Sequence, residues 1–366
     1  MASPLILFFS RGRGYGHAIT DLELDRRLAE LGAGFTIRYF SYGTGAGVFR
    51  ARGVEVCDLQ LADEASPLAV GLRASVEIAR HRPQVIVAHE DVFVPVAAKM
   101  HGIPCIYVST WLPQPASLAW DAVDCADSLL VIEDGGLFPF PPSCAHKLQH
   151  SGPVVRAMKH GPKDRARLRS LLGLSAESVV WLVIPGGWAN ESRAPVARSM
   201  LAAFRQLQQT HADAHLLWLG EVKEPALLDE FARISNVRVL TFCDDSEKYM
   251  IASDVIFTKG THGVTLEAAQ LGVPSISISY RANPIDEILV PRVANNTHLH
   301  ALAITPDMLL QEATKARSRG SVAARDYTEG GAKAARILHD EIIRLVPKIH
   351  TFPVGAESAA EIASAV

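Results

Sequence analysis

Short, almost wholly apolar runs alternate with longer amphipathic stretches along the whole chain, a pattern suited to a parallel sheet covered by helices on both faces. Leu5–Phe9, Phe35–Phe40, Val85–Ala88, Cys105–Ser109 and Leu129–Ile132 read as buried strands, with helical periodicity between most of them. After the turn at Gly152-Pro153 and the polar stretch Lys159–Arg169 the pattern starts again. Its second series is Val179–Ile184, His215–Leu219, Val237–Leu240, Val255–Phe257 and Ser275–Ser279. With 366 residues, the chain has room for about two domains that each bury a core of their own. The sequence therefore predicts an α/β protein of two Rossmann-like, doubly wound domains facing across a cleft. Residues 1–153 form the first domain, 154–340 the second, and 341–366 a closing helix and tail.

The charge balance removes several classes of function. Lys and Arg number 36 against 39 Asp and Glu, a net charge of −3 with no basic run to hold a phosphate backbone, so nucleic acid is not the expected partner. The five cysteines are scattered without a C-x-x-C pair, which predicts neither a zinc site nor a disulfide framework and fits a reducing cytoplasm. No apolar stretch approaches the roughly 20 residues that span a bilayer. The run Leu5–Phe9 is too short for a signal peptide. Contact with a membrane is at most peripheral, at its inner face.

Ligands of open parallel sheets bind at the carboxyl ends of the strands, where helix N-termini present unpaired amides. Each predicted domain has a glycine-rich loop there. Arg11-Gly12-Arg13-Gly14-Tyr15-Gly16-His17 follows the first strand and opens a helix marked by Ile19, Leu22, Leu28 and Leu31. A dinucleotide site would also need an acidic residue at the end of the second strand, which instead ends Tyr39-Phe40-Ser41. His17, at the mouth of the loop, is a candidate general base, and Glu90 or Asp91 beyond the strand Val85–Ala88 would orient it. Packing on the first helical turn serves His17 equally well, and helix capping is the commoner role of either acid alone. In the second half, the loop between Val255–Phe257 and the following helix is an anion seat. Amides of Thr261, His262, Gly263 and Val264 face a phosphate, Lys259 adds a charge, and Glu267 is placed to accept from ribose hydroxyls.

Taken together these segments resemble the nucleotide-sugar glycosyltransferases of the two-Rossmann-domain GT-B fold, particularly the peptidoglycan N-acetylglucosaminyltransferase and natural-product glycosyltransferases. Gly14-Tyr15-Gly16-His17 resembles the family's acceptor loop, and Ser151-Gly152-Pro153-Val154-Val155-Arg156 the Gly-x-Pro-Val-Arg signature that opens its second domain. Ile184-Pro185-Gly186-Gly187 is similar to the donor-phosphate loop, and Leu240–Asp245, with Phe242, to the segment that contacts the base. The stretch Lys259–Glu267 ends in the family's ribose glutamate, and Asp286-Glu287 fall where side chains read the donor sugar.

The resemblance implies an inverting hexosyltransferase. His17 deprotonates an acceptor hydroxyl, and Gly187, Thr261, His262, Gly263 and Lys259 stabilise the departing nucleoside diphosphate with no metal and no cofactor. The expected partners are a nucleotide-sugar donor, with uracil its usual base, and a small-molecule, lipid or glycan acceptor. The acceptor wall would be drawn from Trp111, Pro113, Trp120 and Phe138–Pro142. Trp188 stands where the family often has Ser, Lys259 replaces Arg or His, and Glu287 replaces Gln, which favours a hydroxyl-rich sugar. Two alternatives share the fold: a nucleotide-sugar 2-epimerase, and a binder that kept the pocket without turnover.

Overall fold

The computed structural model describes residues 3–32, 34–186, 194–222, 224–240, 243, 245–259, 262–280, 285–322 and 326–346. Two compact units emerge. The first comprises Met1–Val154 with Glu329–Val366, the second Val155–Thr328.

In the first unit the strands are β1 (Leu5–Ser10), β2 (Thr36–Ser41), β3 (Val56–Asp58), β4 (Val85–His89), β5 (Cys105–Ser109), β6 (Ser128–Val131) and β7 (Leu148–His150). They pair in parallel in the order β3-β2-β1-β4-β5-β6-β7. Its helices are α1 (Gly16–Glu30), α2 (Gly43–Ala51), α3 (Pro67–His81), α4 (Val94–Met100) and α5 (Leu118–Val123). In the second unit α6 (Arg165–Leu171), α7 (Ala194–Thr210), α8 (Pro225–Ala232), α9 (Ser246–Ala252), α10 (His262–Gln270) and α11 (Pro306–Arg319) surround a second sheet. That sheet contains β8 (Val179–Ile184), β9 (Ala214–Leu219), β10 (Val237–Leu240), β11 (Val255–Thr258), β12 (Ser275–Ser279) and β13 (Asn296–His300), all parallel, in the order β10-β9-β8-β11-β12-β13.

Alternation along each central strand divides the core. Leu7 and Phe9 pack on one face of the first sheet, Ile6 and Phe8 on the other, all essentially inaccessible to water. In the second sheet Trp181 and Val183 oppose Val180 and Leu182. Both sheets reverse their winding beside the first strand of the unit, between β1 and β4 and between β8 and β11. A crevice opens at such a switch point, at the carboxyl ends of the strands.

The expected span 154–340 for the second domain is corrected at its carboxyl end. Helix α12 (Thr328–Leu345) returns to the first unit, where Ala334, Ala335, Leu338, Ile342 and Leu345 join the cluster containing Ile6 and Phe8. Gly330 allows the approach, since a Cβ there would run into the carbonyl oxygen of Pro153. Among the described residues no helix is long and apolar enough to cross a membrane.

Candidate functional site

Strand register brings the first set of candidate residues together. Ser10 of β1 lies beside His89 of β4, so the loop from Arg11 leaves the sheet next to His89, Glu90 and Asp91. Glu90 departs from β4 with φ +57°, a conformation that non-glycine residues rarely adopt. Its amide still donates to the carbonyl of Val108 on the neighbouring strand.

The Glu90 side chain is the hub. Oε2 accepts from His17 Nε2 at 2.9 Å and from Arg11 Nη1 at 3.3 Å. Oε1 accepts from the Thr110 hydroxyl at 2.7 Å, the Thr110 amide at 3.1 Å and the Ser109 hydroxyl at 3.3 Å. Burial works to raise this carboxyl, yet the charges of His17 and His89 and the hydrogen bonds from His17 and Thr110 outweigh it and hold Glu90 well below the usual range. A neutral His17 ring whose Nε2 proton is turned to this carboxylate has Nδ1 as its acceptor, and that atom is buried without a protein partner.

Of the two acids offered as orienting groups, Glu90 is the one that touches His17. Asp91 faces away and accepts from the Tyr42 hydroxyl at 3.1 Å. Burial pushes its carboxyl up to about 7 against the opposing influence of Arg11 and Tyr42. Two neighbouring carboxyls are thus pushed in opposite directions, Glu90 down and Asp91 up to about 7.

A further pair lies beneath. His89 Nδ1 donates to Asp21 Oδ1 at 2.6 Å, with both side chains buried, while His89 Nε2 has no partner. The His17 and His89 rings meet edge to face at 5.0 Å between centroids. Burial lowers the His89 imidazole, but the charge and hydrogen bond of Asp21 prevail and raise it. The sequence held a signal for this pair. Asp21 is four residues beyond His17 and so shares its face of α1, and His89 precedes Glu90.

Gly14 and Gly16 border open space, since a Cβ built on either would meet nothing within 4 Å. Gly14 takes a positive φ of 76°. Helix α1 begins without a side-chain cap. Arg26 and Arg27 are ion-paired with Glu23 and Glu30 on their own helix. Trp120 and Phe138, expected in an acceptor wall, are buried, and Trp120 packs in the core with Val123 and Ala126.

In the second unit Thr258 of β11 pairs with Ile184 of β8, so the loops that follow leave side by side. Gly186, at φ +57°, lies directly under the aliphatic stem of Lys259, leaving no room for a Cβ. Helix α10 starts at His262, and Gly263 in its first turn is exposed. Glu267 is met by Arg156 in a two-pronged contact, Nε to Oε1 at 2.8 Å and Nη2 to Oε2 at 3.2 Å. The same guanidinium donates to buried Glu247 at 3.1 Å and to Ser246 at 3.0 Å. Glu247 also accepts from the amides of Lys159 and His160. Glu287 is exposed. Gly187, Trp188, Phe242 and Thr261, and the side chains of His262 and Asp286, lie outside the described residues.

No protein-family model matches the chain. It is similar to two curated proteins named uncharacterized glycosyltransferase. The one from Methanosarcina acetivorans is 22% identical over 313 residues, covering 74% of this chain and 78% of the relative. The other, from Methanosarcina mazei, is 22% identical over 319 residues with the same coverage. Among solved structures, MurG from Acinetobacter baumannii superposes with a TM-score of 0.58 at 15% identity, covering 94% of this chain and 99% of that one. The UDP-GlcNAc 2-epimerase from Neisseria meningitidis, bound to UDP-GlcNAc, superposes with a TM-score of 0.68 at 11% identity, covering 93% and 100%. The fold is thus the GT-B fold that the sequence motifs pointed to.

Proposed function

We propose that this chain is a glycosyltransferase that moves a hexosyl unit from a nucleoside diphosphate sugar, UDP-linked, to an acceptor hydroxyl, with inversion and without a metal ion or cofactor. The observation that carries the reading is the 2.9 Å contact between His17 Nε2 and Glu90 Oε2, which leaves Nδ1 buried and unpartnered. The relatives named glycosyltransferase and the GT-B fold support it.

In this reading the first unit binds the acceptor. Its hydroxyl gives a proton to His17 Nδ1 as the oxygen attacks the anomeric carbon, and the pair of electrons in the breaking bond leaves with the diphosphate. The Glu90 carboxylate fixes the ring and stabilises the imidazolium that forms. The second unit binds the donor. Amides at the start of α10 and the Lys259 ammonium, with Gly187, Thr261 and His262, offset the charge that grows on the leaving group. Each oxygen of Glu267 has lone pairs beyond those used by Arg156, enough to accept from the ribose hydroxyls. By the resemblance in sequence, the segment with Phe242 is assigned to the base and Asp286 and Glu287 to the sugar.

A thermal-shift titration with uridine, thymidine, guanosine and adenosine diphosphates, repeated on Glu267→Ala, tests the donor site. A rise selective for uridine diphosphate and lost in the variant supports the reading; no rise with any diphosphate refutes it.

One observation favours a second reading, a nucleotide-sugar 2-epimerase. Asp91 and Glu90 are adjacent buried carboxyls, Asp91 pushed up and Glu90 down, a pair of the kind that elimination and return of the nucleotide would use. Formation of a new nucleotide sugar without any acceptor would establish it.

A further inference from the structure

The Asp21–His89 pair takes no part in the transfer just described, yet it is built with the care of a binding site. His89 is buried, its Nδ1 is fixed by a buried carboxylate, its Nε2 is left without a partner, and its ring meets that of His17 at 5.0 Å between centroids. His17 turns its Nε2 to Glu90 Oε2 at 2.9 Å, so these two atoms already stand together as a nitrogen and an oxygen donor. A histidine whose far nitrogen is held by a carboxylate is the usual outer arrangement of a metal-bound imidazole, because the carboxylate fixes the tautomer and strengthens the donor.

We propose that His17, His89 and Glu90 form a binding site for a zinc-like divalent transition ion, with Asp21 the carboxylate behind His89. One ligand atom from each of the three residues lies within 4.8 Å of the others. Tetrahedral ligands at about 2.0–2.1 Å from zinc are roughly 3.3 Å apart, so the His17–Glu90 contact, now 2.9 Å, opens slightly to admit the ion. Two imidazoles and one carboxylate suit zinc and its neighbours rather than calcium or magnesium, and three protein ligands leave a fourth position for water. Arg11 is the opposing element, since its guanidinium shares Glu90 Oε2. Its side chain is 29% exposed and has solvent to swing into. An ion bound to His17 Nε2 leaves the ring proton on Nδ1, the nitrogen that the proposed transfer needs as an acceptor, so on that reading the site is inhibitory. The inference concerns metal binding in the absence of nucleotide and stands or falls apart from the transferase reading.

The test is titration of the chelator-stripped full chain with zinc by calorimetry, with cobalt substitution read in the visible spectrum. The expected result is one ion per chain and cobalt bands of nitrogen and oxygen ligation without thiolate charge transfer, which excludes the five free cysteines. His89→Asn and His17→Asn each weaken binding by tenfold or more, and Asp21→Asn by about 10–100-fold. Arg11→Gln tightens it, and because Arg11 is partly exposed that variant reports on the site even where the His89 variant fails to fold. Absence of stoichiometric zinc, thiolate bands with cobalt, or affinity unchanged by His17→Asn and Arg11→Gln overturns the proposal.

Discussion

His17 Nε2 and Glu90 Oε2 are 2.9 Å apart, across 73 residues of sequence, because β1 and β4 end in register at the point where the sheet reverses its winding. The contact leaves the other imidazole nitrogen, Nδ1, buried without a protein partner, and the proposed reading makes that atom the base. Removing His17 as Ala should lower kcat by roughly 10²–10⁴ while leaving the affinity for uridine diphosphate unchanged. Steady-state kinetics beside a nucleotide titration checks this. A loss of less than tenfold would remove His17 from the chemistry.

Asp91 makes stability depend on pH in the direction opposite to most acids. Its folded-state value of about 7 lies above the ordinary aspartate value of 3.8, so the native state holds a proton that the unfolded chain has released. This contribution is complete below the unfolded value and is lost as pH rises through the folded one. Asp91→Asn keeps an acceptor for Tyr42 but cannot ionise. Between pH 5 and pH 8, in buffer with chelator, Tm of the native chain should fall relative to that of the variant; parallel curves would contradict the assignment.

Arg156 holds two carboxylates at once, one of them buried Glu247. Arg156→Met leaves Glu247 with only the amides of Lys159 and His160 and a neighbouring negative charge uncompensated. The expected cost is about 3–5 kcal/mol, read by urea unfolding. A loss under about 1 kcal/mol would show that the network is solvated and adjustable.

Gly186→Ala meets two obstacles, a positive φ and the stem of Lys259. The backbone term alone is about 1–2 kcal/mol. Displacement of Lys259 should also weaken diphosphate binding severalfold. Calorimetric titration of this variant with uridine diphosphate, showing native affinity, would place the phosphate elsewhere.

How far the sequence revealed all this follows from burial. The central strands were legible because both faces of β1, β4, β8 and β11 are apolar and uninterrupted. Of the edge strands, only β10 (Val237–Leu240) was. β3, β7 and β13 are short or polar, as in Asn296-Thr297-His298-Leu299-His300, and exist because a neighbour offers a free edge. The destination of α12 was hidden for a similar reason, since periodicity reveals that a helix has an apolar face but not which sheet receives it. In the candidate site, His17 and the acids after β4 stood out as residue types at strand ends. The choice of Glu90 over Asp91 rests on a left-handed backbone at Glu90, and local pattern carries no sign of that. Asp21 went unrecognised, and Arg156 stood out only as the end of a signature, because the distant partners that give each its place are not visible in local sequence.

The most direct measurement is release of nucleoside diphosphate from a panel of UDP-sugars, with and without an extracted pool of lipid, glycan and small-molecule acceptors, for the native chain and for His17→Ala. The account predicts acceptor-dependent release, a glycoside of inverted anomeric configuration by NMR, and loss of both in the variant. A new nucleotide sugar formed without acceptor, or release that His17→Ala leaves intact, would contradict it.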